Sequence, residues 1–267
     1  MLSNDSPPWN PSSVDKPQPI WRKDDVGLKA RIERLETILE AKQRALSRER
    51  SLEQTAQRPQ RVVDAVCDTY TWVTEHTQTY NEHWIAEGRS SPYEPFPRLP
   101  YFQPILELLE YERIVWIEKS RDMMISWLCV AYLTLKAMTM LECGVLFQTQ
   151  KESKAIQLVD YAKCLYRRQD QFLQDEFKLW KPIEQQPALE LRFAHGGYIR
   201  GIPGGADQIR SYHPWGYLND ESSFQPEAGE CYNEALSAIK GKIIFNSSAG
   251  PGWYADARHG IIRNSEE

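Results

Sequence analysis

The chain has 267 residues, 41% of them hydrophobic, with 9 Trp and 13 Tyr, which is enough for one large domain with appendages. Its formal net charge of -5 argues against tight, passive DNA binding by the whole surface, though not against a motor that grips DNA with one face. The five cysteines (Cys67, Cys129, Cys143, Cys164, Cys231) are scattered, with no C-x-x-C pair, so a zinc ribbon is excluded and a reducing compartment is expected.

No signal peptide is read at the start, and no apolar run is long enough to span a bilayer. The first 19 residues are rich in Ser, Pro and Asp and lack an apolar period, so a disordered tail is expected there. Leu28, Ile32, Leu35, Leu39 and Leu46 then form a narrow apolar seam, with Lys42 at the skipped position. That pattern predicts a helical, coiled-coil-like arm over 20–58, a docking or self-association device or a helix lying on its own domain. Pro59 marks a polar linker, and the main domain is expected over 59–267.

Val62, Val66, Tyr70, Val73, Tyr80 and Trp84 are spaced for one long amphipathic helix. Pro92, Pro95, Pro97 and Pro100 predict a stiff, extended segment, followed by a helix over 105–112. The apolar run 114–117 reads as a buried strand, and 127–140 as a long buried helix. Strand, helix and hairpin follow at 144–149, 151–168 and 189–200, then a flexible loop at 201–205. A strand over 215–221, a helix over 226–239 and a strand over 242–245 complete the series. Strands alternating with helices predict an α/β fold with a mostly parallel sheet covered on both faces.

Two stretches carry chemistry. The first is the polar turn after the strand at 114–117, where backbone N–H groups and a helix N-terminus would face a phosphate. The pattern G-x-x-x-x-G-K-[ST] is not met, because Met124 and Ile125 stand where Gly and Lys would be; Ser126 keeps the place of the Mg²⁺-binding hydroxyl. The second is Asp220-Glu221 at the end of an apolar strand, a pair able to hold a metal ion and to polarise water. Gln103, ahead of the first strand, fits the adenine edge, since an amide donates and accepts at once. The five histidines lack ligand spacing, and no G-x-S-x-G occurs.

Together these residues resemble the ATPase domain of the large terminase subunits of tailed bacteriophages. Lys119-Ser120-Arg121-Asp122-Met123-Met124-Ile125-Ser126 looks like that family's deviant Walker A loop, which often reads K-S-R-x-x-x-x-S/T. Asp220-Glu221 matches Walker B and the catalytic glutamate, and Ser247-Ser248-Ala249 resembles the coupling motif. The resemblance covers roughly Tyr101 to Tyr254, with the motifs in the family's order.

The resemblance implies a P-loop NTPase of RecA-like ASCE type that binds ATP with Mg²⁺. Lys119 would replace the missing Walker lysine at the β/γ-phosphates, helped by the loop residues 120–126. Ser126 and Asp220 would hold Mg²⁺, Glu221 would orient water, and Arg210 would act in trans as a finger on a neighbour's nucleotide. It also implies a packaging motor in the cytoplasm of an infected bacterium, a ring seated on the portal protein at the procapsid vertex. That ring would move double-stranded DNA, with the small terminase subunit and a nuclease domain or chain as further partners, and no membrane. No nuclease activity is expected from this chain itself. Two rivals stand beside this reading: another ATP-driven translocase or helicase, which normally keeps an intact G-K-[ST], and a catalytically weak P-loop scaffold, against which the retained Asp220-Glu221 pair argues.

Overall fold

In a computed structural model of the chain, residue 42 and residues 59–258 are described. The tail and arm expected over 1–58, Lys42 apart, lie outside the described residues.

The long amphipathic helix expected from Val62 to Trp84 is instead three short elements, α1 (Gln60–Ala65), α2 (Thr69–His76) and β1 (Gln78–Tyr80). Asp68 causes the first break, because its carboxylate accepts from Thr71 N at 2.8 Å and caps α2. The second comes at Thr77, after which Gln78-Thr79-Tyr80 favours an extended chain and pairs antiparallel with β2 (Tyr93–Pro95). Of the proline-rich segment, Tyr93–Pro95 is extended, as β2, and Pro100 lies in a turn.

The remaining elements alternate. They are α3 (Phe102–Tyr111), β3 (Ile114–Lys119), α4 (Ile125–Thr139), β4 (Gly144–Gln148), α5 (Glu152–Arg167), α6 (Gln171–Glu176), β5 (Glu190–Arg192), β6 (Tyr198–Ile202), α7 (Asp207–Arg210), β7 (Gly216–Asp220), α8 (Ala228–Ala238), β8 (Lys242–Ser248) and α9 (Trp253–Arg258). Two boundaries differ from expectation in ways that matter. β6 continues through Gly201 and Ile202, because both pair with β4, so the loop begins only at Pro203. β8 continues through Ser247 and Ser248, which pair with Glu118 and Lys119, so both serines are strand residues.

Among the described residues the main sheet has the order β3-β8-β7-β4-β6-β5, all parallel except the β5–β6 hairpin. Successive strand residues face opposite cores. Phe147, Leu218 and Ile244 pack with α4 and α5, while Leu146, Tyr217 and Phe245 pack with α8. Helix α4 is apolar all round, and Leu128, Cys129, Val130, Ala131 and Leu133 are wholly buried, as a helix between a sheet and further helices must be. β4 and β7 are buried along their whole length, which explains their continuous apolar runs. The carboxyl ends of β3, β8, β7 and β4 line up, and such an end is where open α/β sheets bind ligands. No described helix is long and apolar enough to cross a membrane.

Candidate functional site

The site begins where β3 ends. Lys119 is its last residue, and Ser120 to Met124 form the turn into α4. Two residues of this turn hold left-handed backbone, Asp122 at φ 60° and Met124 at φ 53°. Glycine would adopt these angles without strain, whereas an L side chain pays about 1–2 kcal/mol at each. The turn therefore keeps the shape of a glycine-bearing loop without its glycines. Met124 sits just before the first residue of α4, so the free N–H groups of a 15-residue helix open toward the turn.

Ile125, which occupies the usual lysine position, is only 2% exposed. A lysine there would be driven into the core. Lys119 approaches from the other side of the turn, and its Nζ donates to Glu221 Oε1 at 3.0 Å, across 102 residues of sequence. The lysine side chain is 9% exposed and the glutamate 40%. Ser126 Oγ donates to Asp220 Oδ1 at 2.8 Å. Both contacts bring the first stretch singled out in the sequence onto the second.

Adjacent strand residues should point to opposite faces, yet Asp220 and Glu221 both reach the turn. The reason is that β7 ends at Asp220 and Glu221 takes φ 58°, so the chain corners there. A short 3-10 turn, Ser222–Phe224, follows, fastened to β8 by Ser247 and Ser248. Ser223 N donates to Ser247 Oγ at 3.0 Å, and Ser223 Oγ donates to the carbonyl of Ser248 at 3.1 Å. Ala249 follows the strand and is exposed.

Asn246 was not singled out by sequence reasoning. Its Nδ2 donates to Asp220 Oδ1 at 2.6 Å and to Ser126 Oγ at 3.2 Å, from a position paired with Asp220 in the sheet. Its Oδ1 is buried without a partner. The available signal was a polar residue closing an apolar strand just before Ser247. Tyr101 was also missed in this role; its hydroxyl donates to the carbonyl of Met123 at 3.2 Å.

Other expected residues lie as follows. Ser120, Arg121 and Asp122 are exposed on the turn, and Met123 is half-buried. Gln103 is exposed on α3 and its amide donates to Glu107 at 3.1 Å on the same helix. Arg210 ends α7, where its guanidinium donates to Asp207 at 2.9 Å and to Glu234 at 2.6 Å.

Burial pushes the Asp220 carboxyl up to about 6, against the hydrogen bonds from Ser126 and Asn246 and the charge of Lys119, while Glu221 adds to the rise. Because the folded value lies above the ordinary value of 3.8, the folded protein holds this proton more firmly than the unfolded chain. Stability from this group is therefore full below about pH 4 and is lost as the pH rises through about 6. Asp220→Asn keeps an oxygen for both donors and removes the charge. It should raise the apo chain's melting temperature at pH 8 by about 5–10 °C, from about 3 kcal/mol, with little gain near pH 4. Thermal melts at the two pH values check this, and a lower melting temperature at pH 8 contradicts it.

The donor set fits a magnesium ion that arrives with a phosphate. Among the described residues no cluster of three or more His, Cys, Asp or Glu could hold a metal by itself. Mg²⁺ takes hard oxygen ligands and commonly uses one or two carboxylates with water and phosphate, and Ser126 Oγ beside Asp220 supplies such oxygens.

No protein-family model matches the sequence, and no curated protein matches it. Solved structures do. The large terminase of bacteriophage HK97 is similar at a TM-score of 0.50 and 10% identity, over 69% of this chain and 38% of that one. The large terminase ATPase domain of Thermus phage P74-26 is similar at 0.41 and 13% identity, over 60% and 74%. The large terminase of a thermophilic bacteriophage, in complex with ADP, gives 0.35 and 14% identity, over 50% and 33%. The likeness to the HK97 protein shows the fold: a six-stranded, mostly parallel sheet between helices, as in a phage large terminase. The resemblance read from the motifs is met independently at the level of fold. The chain spans about 38% of the HK97 protein's length.

Proposed function

We propose that this chain, with the fold of a phage large terminase, hydrolyses ATP at the turn between β3 and α4 and works as the motor domain that packages double-stranded DNA. The observation that carries the proposal is the double closure of Lys119 onto Glu221 and Ser126 onto Asp220. Two stretches read separately as Walker A and Walker B meet at the carboxyl end of one sheet.

The turn's N–H groups and the α4 N-terminus cradle the phosphates. Lys119 Nζ, held by Glu221, is offered to the β/γ-phosphates as their negative charge competes for it. That exchange frees the Glu221 carboxylate to orient the attacking water and draw its proton. Ser126 Oγ and Asp220 would hold Mg²⁺, and Asn246 Nδ2, which donates to both, would keep them in place. The ion, when bound with ATP, neutralises the charge that develops on the phosphate oxygens. Glu221 sits at a strained corner braced by Ser247 and Ser248, so a change at the phosphate is passed to β8. Gln103 is assigned to adenine, with Tyr101 fixing the turn beside it.

Arg210 is assigned to the neighbouring subunit's nucleotide. Its pairs with Asp207 and Glu234 are open to solvent, where water and salt screen them, so a phosphate can displace them. Turnover by the full chain should then rise more than linearly with protein concentration. Mixing Glu221→Gln with Arg210→Ala chains should restore some activity, because one mixed interface carries both intact groups. A linear dependence with no rescue rejects this role for Arg210. The arm over 20–58, the portal protein, the small terminase subunit and a nuclease partner belong to the same proposal, as parts of a ring assembled at the procapsid in the host cytoplasm. ATP turnover with and without double-stranded DNA tests the whole reading, and DNA should stimulate it.

A further inference from the structure

Behind the Asp220-Glu221 corner, on the other face of β7, lies a chain of buried polar side chains that the proposed reaction does not use. Gln148, the last residue of β4, is wholly buried, as are Tyr217 and Asn219 on β7. Gln148 Nε2 donates to two backbone carbonyls, Pro203 at 2.9 Å and Gly205 at 2.8 Å. Its Oε1 accepts from the Tyr217 hydroxyl and, at 3.4 Å, from Asn219 Nδ2. Reversing the amide would set its oxygen against two carbonyls, so only one orientation satisfies the four contacts.

Asn219 carries the chain onward. Its Nδ2 donates to the Tyr217 hydroxyl at 2.8 Å, and its Oδ1 accepts from Ser222 Oγ at 2.7 Å and Gln225 Nε2 at 2.8 Å. Gln225 Nε2 also donates to the carbonyl of Asp220 at 2.8 Å. The residues on both sides of Glu221 are therefore tied to Asn219, Asp220 by its carbonyl through Gln225 and Ser222 by its hydroxyl. At the far end, Gly205 takes φ 118°, a conformation open to glycine, and Ala206 N donates to Glu227 at 3.2 Å. α7, with Arg210, starts at the next residue.

We propose that Gln148 is a positioning residue that locks the Asp220-Glu221 corner to the 203–206 loop through Tyr217, Asn219, Ser222 and Gln225, so that the corner and the arginine-bearing segment move together. This rests on the hydrolase reading of the site. Gln148 touches neither phosphate nor water in that reading; it acts through Asn219. A buried, fully satisfied network specifies one geometry, and a breach on either side loosens both.

The test is Gln148→Leu in the full chain, read by hydrogen exchange and by ATP kinetics. Amides of 219–225 and 204–206 should exchange at least tenfold faster, while those of β3 and α4 stay as in the wild type. The kcat should fall at least tenfold with KM for ATP within twofold, because the phosphate cradle is untouched. Tyr217→Phe keeps the volume, removes one hydroxyl from the chain, and should give the same pattern more weakly; it serves where Gln148→Leu does not fold. Wild-type exchange at 219–225 together with wild-type kcat overturns the proposal. So does exchange that rises equally throughout the sheet, which marks a general packing role. A wild-type chain that does not hydrolyse ATP rejects the hydrolase reading instead, and exchange at 219–225 then decides alone whether Gln148 holds the corner.

Discussion

Glu221→Gln should leave ATP and Mg²⁺ binding intact and lower turnover by about 10²–10⁴-fold, the usual size of a lost general base. The amide keeps the length of the side chain and an oxygen that can accept from Lys119 Nζ, as the carboxylate does at 3.0 Å. The corner itself is built from backbone and from neighbours that the change does not touch. Ser223 still binds Ser247 and Ser248, and Gln225 still binds the carbonyl of Asp220. What disappears is the negative charge that draws a proton from water. Equilibrium binding of a fluorescent ATP analogue and steady-state phosphate release separate the two effects. Turnover within threefold of wild type removes Glu221 from the role of base.

Lys119→Ala should cost about 10²–10³-fold in turnover, the scale seen when one preorganised electrostatic contact to a reacting oxygen is removed, and should weaken ATP binding as well. The lysine is the cation that the geometry holds against the corner, paired with Glu221. It ends a strand whose other residues carry the packing, so circular dichroism should show a folded protein. A lysine at the usual position should not rescue it. Ile125 is 2% exposed, and a charge placed there enters the core beside α4 without a partner. The Lys119→Ala, Ile125→Lys double variant should therefore be inactive and less stable than Lys119→Ala alone. Recovered activity in the double variant would show that the lysine had not moved.

The parts of this arrangement that follow local rules were legible in the sequence. Strands buried on both faces betray themselves as largely apolar runs, so β4, β7 and β8 could be read; the edge strand β3 could be read from its β-branched residues, and the order of strands and helices implied a parallel sheet. Ser126, Asp220 and Glu221 could be singled out by residue type, and Lys119 through the resemblance; the structure brings these four side chains together. Three kinds of feature were not legible. Asp68 and Thr77 cut an apparently continuous amphipathic pattern, because capping and pairing with Tyr93–Pro95 outweighed periodicity. Asn246 and Gln148 gain their contacts only from sheet register, which sets Asn246 beside Asp220 and Gln148 beside Asn219. The left-handed backbone at Met124 and Glu221 is imposed by the surrounding structure on residues that do not favour it.

Whether the site hydrolyses ATP is decided by phosphate release from the wild-type full chain, measured with Mg²⁺ and again with Mg²⁺ chelated. Turnover should need Mg²⁺ and rise when double-stranded DNA is added. ATP left uncleaved with Mg²⁺ and DNA both present, at any protein concentration, would contradict it.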